Sequence, residues 1–238
     1  MRFAVNTNYN IHHIILLLNV HDTIHTISGI RSIMTEKKDL LQEPIARKKP
    51  NSTGINGLDL ILQGGYPAGT IILITGSACS GMDRFATQFW HAGRGKREFL
   101  MIDGFIEEGM VDARFLTPDQ IFLPGEESGI IIDSISTLIL QYGVEPVLEG
   151  IIFARENARH SGDHAFFIMY SGLHDKAIEI SLIRRADIVI ELHEVVHGSD
   201  IARVLEIKKI TGYSLPEKAM PFLILKEGIE LSTTSRVV

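Results

Sequence analysis

"TIILITGSACSGMDR", residues 70–84, decides the fold. Ile71 to Ile74 form an apolar run without polar alternation. A strand of that kind is covered on both faces, as in a parallel sheet flanked by helices. Gly76 follows, then Ser77, Ala78, Cys79 and Ser80, then Gly81. A glycine, four residues and a second glycine give the outline of a phosphate-binding loop. "MDRFATQFWHAG" continues as a helix, with Phe85, Phe89 and Trp90 toward the core. A working loop would place lysine and then serine or threonine after the second glycine. This chain has Met82 and Asp83 there.

On either side of the loop the pattern is regular. "STGINGLDLILQGGYPAGT" predicts a short helix with Leu58, Ile61 and Leu62 on one face, stopped by Gly64-Gly65. After the loop come a second strand, "EFLMID", and a third, "GIIIDSIS". An amphipathic helix, "PVLEGIIFARENARHSG", leads to the strand "HAFFIMYS". The helix "AIEISLIRRA" leads to the strand "DIVIELHEV". "ARVLEIKKITG" and "PFLILKEGIEL" alternate like antiparallel edge strands. Strands alternating with helices, then a terminal hairpin, predict a three-layer α/β domain.

The chain has 238 residues and a formal net charge of -6, enough for one ordinary globular domain. No Lys/Arg run marks a nucleic-acid footprint, so nucleic acid is not an expected partner. One cysteine excludes an internal disulfide framework and fits a reducing cytoplasm. "IHHIILLLNV", within residues 1–33, is too short to span a bilayer, and no signal-peptide cleavage site follows it. Residues 1–33 are expected to be a poorly ordered extension or a mis-assigned start, and residues 34–51 a linker. The folded domain is expected over 52–238. His12, His13, His21 and His25 match no standard metal spacing.

Residues 52 to about 231 resemble the KaiC-like branch of the RecA superfamily, common among archaeal proteins. The segment "TGINGLDLILQGGYPAGTIILITG" is similar to that family's opening helix, Gly-Gly turn and first core strand. "GIIIDSIS" looks like its Walker B strand, with Asp133 as the acid. "RVLEIKKITG" and "PFLILKEGIEL" resemble its ending. The resemblance implies a RecA-like P-loop NTPase fold, with ATP and Mg²⁺ bound between subunits of a ring, often a hexamer. On it, residues 76–84 (Gly76, Ser77, Ala78, Cys79, Ser80, Gly81, Met82, Asp83 and Arg84) and Lys209 would contact nucleotide. Asp133 would hold Mg²⁺, with Asp83, a hard oxygen ligand in its own right, as a second candidate, and Ser171 would be a polar sensor.

Three departures degrade that site. Met82 removes the loop's cation, and Asp83 puts an anion near the phosphates. At about 4 Å, like charges repel by about 4 kcal/mol at an effective dielectric of about 20. A bound Mg²⁺ reverses that sign. Arg84, one residue late, is a partial substitute for the lysine, while the simplest reading of Asp83 is a helix cap. The family's adjacent glutamates fall at Asp103-Gly104, and the candidate pair Glu107 and Glu108 comes a few residues later. Thr211 stands where the family carries an arginine that reaches the neighbouring subunit. Such arginines supply roughly 10³ to 10⁵ in rate.

The leading expectation is therefore a cytoplasmic, KaiC-like regulatory or signalling domain. It acts through protein partners or self-assembly, with ATP binding and hydrolysis weak or absent. A functioning ATPase and a DNA recombination or repair accessory protein are the competing readings.

Overall fold

The computed structural model describes residues 49–93, 97–122, 129–197 and 200–232. Residues 1–48, with the four histidines of the first segment, lie outside the described residues.

Asn51 pairs with Tyr66 in an antiparallel bridge, so the folded unit already includes Asn51. Between them lies α1 (Asn56–Ile61). Asp59 ties its approach: Thr53 N and Oγ1 donate to Asp59 Oδ1, and Ser52 Oγ donates to Oδ2. The buried stripe is Ile55, Leu58 and Leu62, while the expected Ile61 is exposed. At 3.6 residues per turn, Ile61 falls about 100° away from Leu62, outside the stripe. Gly65, at φ 115°, lies so close to Asn51 that a Cβ would sit 2.1 Å from the Asn51 carbonyl oxygen.

β1 (Ile71–Gly76) is buried at every position, and α2 (Met82–Ala92) follows the loop. Then come β2 (Arg97–Met101), the two-residue β3 (Val111–Asp112), α3 (Pro118–Ile121) and β4 (Gly129–Asp133). Two consecutive helices, α4 (Ile135–Tyr142) and α5 (Val144–Ser161), meet at Gly143. β5 (Ala165–Tyr170), α6 (Lys176–Arg185), β6 (Ile188–His197) and β7 (Asp200–Ile210) complete the body. "PFLILKEGIEL" proves to be two strands, β8 (Met220–Leu225) and β9 (Gly228–Leu231).

The described strands form one sheet in the order β3-β2-β4-β5-β1-β6-β7-β8-β9. Pairing is parallel from β3 through β6 and antiparallel from β6 to β9. Side chains alternate across β1. Ile72 and Ile74 join Phe85 and Phe89 of α2 on one face. Ile71 and Leu73 join Leu138, Val147, Ile151 and Leu182 of α4, α5 and α6 on the other. This is the three-layer α/β arrangement read from the sequence, with a longer antiparallel extension than the expected terminal hairpin. α3, α4 and β3 have no counterpart in that reading.

Gly150 lets α5 approach Phe122, since a Cβ there would sit 2.1 Å from Phe122 Cδ2. The aromatic ring is itself buried, so it has little room to yield. Gly150→Ala is expected to destabilise the fold by about 1–3 kcal/mol, despite the better helix propensity of alanine. Urea unfolding reads this, and an unchanged or higher midpoint would contradict the packing.

Candidate nucleotide and cation site

The loop lies at the carboxyl end of β1, the end at which parallel α/β sheets bind their ligands. Gly81 has φ 93°, a conformation that glycine adopts without strain. A Cβ there would also meet Ile224 Cδ1 of β8 at 2.6 Å. Ser80 is buried, with its N and Oγ both donating to Ser77 O, at 3.1 and 2.7 Å. A Cβ on Gly76 would lie 2.4 Å from Ser80 Oγ, so the two glycines fix the loop's shape. The N–H groups of Ala78, Cys79, Gly81, Met82 and Asp83 donate to no described residue. Free N–H groups of a glycine-rich loop at a helix N-terminus are donors of the kind that bind anions.

The charges around this loop have the opposite preference. Met82 is 3% exposed and packs into the core with Phe85 and Phe89. Asp83 faces solvent and makes no capping hydrogen bond, so it does not act as the expected N-cap. Arg84 Nε stands 3.9 Å from Asp83 Oδ2, with both side chains more than half exposed. A contact of that kind is worth little. Cys79 is exposed. Ser77 Oγ donates to Glu194 Oε2, and the Arg203 guanidinium is paired with the same carboxylate at 3.2 Å.

Facing the loop, β2 and β4 run side by side, with Met101 in register with Asp133. Asp133 is 5% exposed. Burial, reinforced by Asp103 and then Asp83, pushes its carboxyl pKa up to about 7. Asp103 accepts from Ser134 Oγ and Thr137 Oγ1, each at 2.6 Å. Ser134 caps α4, accepting from Thr137 N. Tyr170 has its pKa raised by burial first, and then by the charges of Asp133 and Asp103. Asp133 and Asp103 are hard oxygen donors of the kind Mg²⁺ takes, but among the described residues they do not close into a three-ligand cluster with Asp83. A triphosphate fits poorly, because the loop's N–H groups are not joined by a side-chain cation.

The structure thus brings together the loop, Asp83 and Asp133, and adds Asp103, Ser134, Thr137 and Tyr170. Asp103 stands at the sequence place of the first family glutamate. The hydroxyl residues just after Asp133 were the available signal for Ser134 and Thr137; Tyr170, at the end of β5, carried none. Glu107 and Glu108 lie on an exposed turn, where Met110 N donates to Glu107 O, and neither carboxylate pairs with a described residue. Ser171 is exposed, and its N donates to Gly76 O. Lys209 is engaged within its own chain, its Nζ donating to the carbonyls of Ile183, Arg184 and Ala186 at the C-terminus of α6. A cation there favourably meets the helix dipole. Thr211 N and Oγ1 both donate to Asp187 O.

Residues 51–108 match the family model of the KaiC ATPase, a span that includes the loop and Asp103. A KaiC-like protein from the hyperthermophilic archaeon Pyrococcus horikoshii OT3 superposes with a TM-score of 0.66 at 20% identity, covering 78% of this chain and 99% of that one. The flagellar accessory protein FlaH from Methanocaldococcus jannaschii superposes with a TM-score of 0.63 at 17% identity, covering 75% and 96%. No curated protein sequence matches the chain. The fold is that of KaiC-like proteins, a RecA-type P-loop architecture, as the sequence resemblance implied. No described helix is long and apolar enough to cross a membrane.

Proposed function

We propose that this chain is a KaiC-like domain with a degraded ATP site, acting in regulation or signalling through protein contacts, with hydrolysis near background. The observation that carries this reading is the side chain of Met82. It lies in the apolar core at the position from which a lysine would reach the phosphates, while Asp83, Asp103 and Asp133 share the vicinity of the loop.

A second reading, an active ATPase, is favoured by the unpaired N–H groups of the loop and by Asp133 retained at the end of β4. Calorimetry separates the two. The natural chain is expected to bind Mg-ATP weakly. Met82→Lys with Asp83→Thr is expected to tighten binding about tenfold or more, roughly 1.4 kcal/mol for each factor of ten. Ligand-free melting of the double variant checks that the new lysine has not disrupted the core. Micromolar Mg-ATP affinity with turnover in the natural chain would overturn the proposal in favour of the ATPase. No gain in a folded double variant would show that the loop has lost its phosphate geometry.

A further inference from the structure

The antiparallel extension carries a second cluster of ligating groups. Along β6, Ile190 and Leu192 enter the core on one face, and the two-residue period places Glu191 and His193 on the other. Register sets Glu206 of β7 directly across from Glu191. Two carboxylates directly opposed destabilise a strand pair unless a cation joins them. Lys208 supplies one, pairing with Glu206 and, at 3.4 Å, with Glu191.

His193 is a further donor. Its Nε2 stands 3.6 Å from Glu191 Oε2 and 3.8 Å from Glu206 Oε2. Both distances exceed hydrogen-bonding reach. One ligand atom from each of the three residues lies within 4.8 Å of the others. Two ligands each about 2.1 Å from a tetrahedral zinc ion stand about 3.4 Å apart. The observed spacing is slightly wider than that of a closed site. All three residues are partly exposed, which leaves solvent to complete the coordination. Imidazole with two carboxylates suits zinc or cobalt better than magnesium or calcium.

We propose that Glu191, His193 and Glu206 form a site for a divalent transition-metal ion of the zinc type, which displaces the Lys208 ammonium from between the carboxylates. The ion would clamp β6 to β7 one residue from the phosphate-type loop, because Glu191 is in register with Thr75 of β1. It is independent of the nucleotide reading.

Cobalt titration of the full chain near neutral pH tests this, since tetrahedral Co²⁺ absorbs visibly. The natural chain is expected to develop a saturable visible band. His193→Ala and Glu206→Gln are expected to lose it, while metal-free melting shows that both remain folded. Lys208→Ala removes a competing cation and no ligand, so it is expected to bind cobalt about fivefold tighter, the equivalent of one exposed ion pair. That arm stands even where loss of a ligand residue weakens the fold. A band unchanged in His193→Ala would place the metal on other histidines and overturn the proposal. An absent band in the natural chain, or unchanged affinity in Lys208→Ala, would overturn it equally.

Discussion

Asp133→Asn is expected to raise the melting temperature markedly at pH 8 and to change it little at pH 4. The Asp133 carboxyl is buried at the end of β4, with its pKa pushed up from 3.8 to about 7 by burial and by the charges of Asp103 and Asp83. The folded chain therefore keeps a proton that the unfolded chain releases between those values. Stability is fully present below about pH 4 and falls as pH rises toward 7, because the unfolded state then binds fewer protons. The penalty above pH 7 is on the order of 4 kcal/mol, an upper figure because solvent and relaxation reduce it. Asparagine carries no charge at any of these values and escapes the penalty. Millimolar Mg²⁺ should stabilise the natural chain at pH 8 and the variant much less, since a ligand stabilises only the state that binds it. Thermal melting from pH 4 to 8, with and without Mg²⁺, reads both effects. A pH-independent change, or destabilisation at pH 8, would show that Asp133 is compensated by something other than a proton or a metal.

Asp163→Ala is expected to cost about 3–5 kcal/mol, the size typical of an orphaned buried charge. Arg97 on β2 has only 3% of its side chain exposed, and its Nε donates to Asp163 Oδ1 at 2.9 Å. Its Nη1 donates to Phe89 O, and its guanidinium carbon lies 3.9 Å from the Phe89 ring centroid. Those contacts satisfy geometry but do not neutralise charge. Asp163 Oδ1 also accepts from His164 N, so its loss frees a second donor. For a domain of this size the cost corresponds to a drop of roughly 10 °C in melting temperature. Arg97→Met combined with Asp163→Ala should recover much of the loss, because no charge is then left without a partner. A double variant as unstable as the single would assign the effect to backbone packing instead.

The sequence by itself determined the layered α/β architecture, because its signals are local and repeated. Short apolar runs without alternation, bounded by glycine and polar residues, read as strands covered on both faces, and β1, β4 and β5 are such strands. Gly76 and Gly81 at their spacing fixed the loop, and Gly81 takes the positive φ that glycine permits. Asp133 was legible because it closes a buried strand. The tertiary structure alone decided the electrostatics of the site, since those depend on which strands lie side by side. β2 and β4 are adjacent in the sheet though separated along the chain; burial at the end of β4 raises the pKa of Asp133, and that adjacency adds the charge of Asp103. The direction of the Met82 side chain, the α6 carbonyls that hold Lys209, and the pairing of Glu191 with Glu206 have the same origin. Each depends on a neighbour distant in sequence, and hydrophobic periodicity carries no record of which distant neighbour that is.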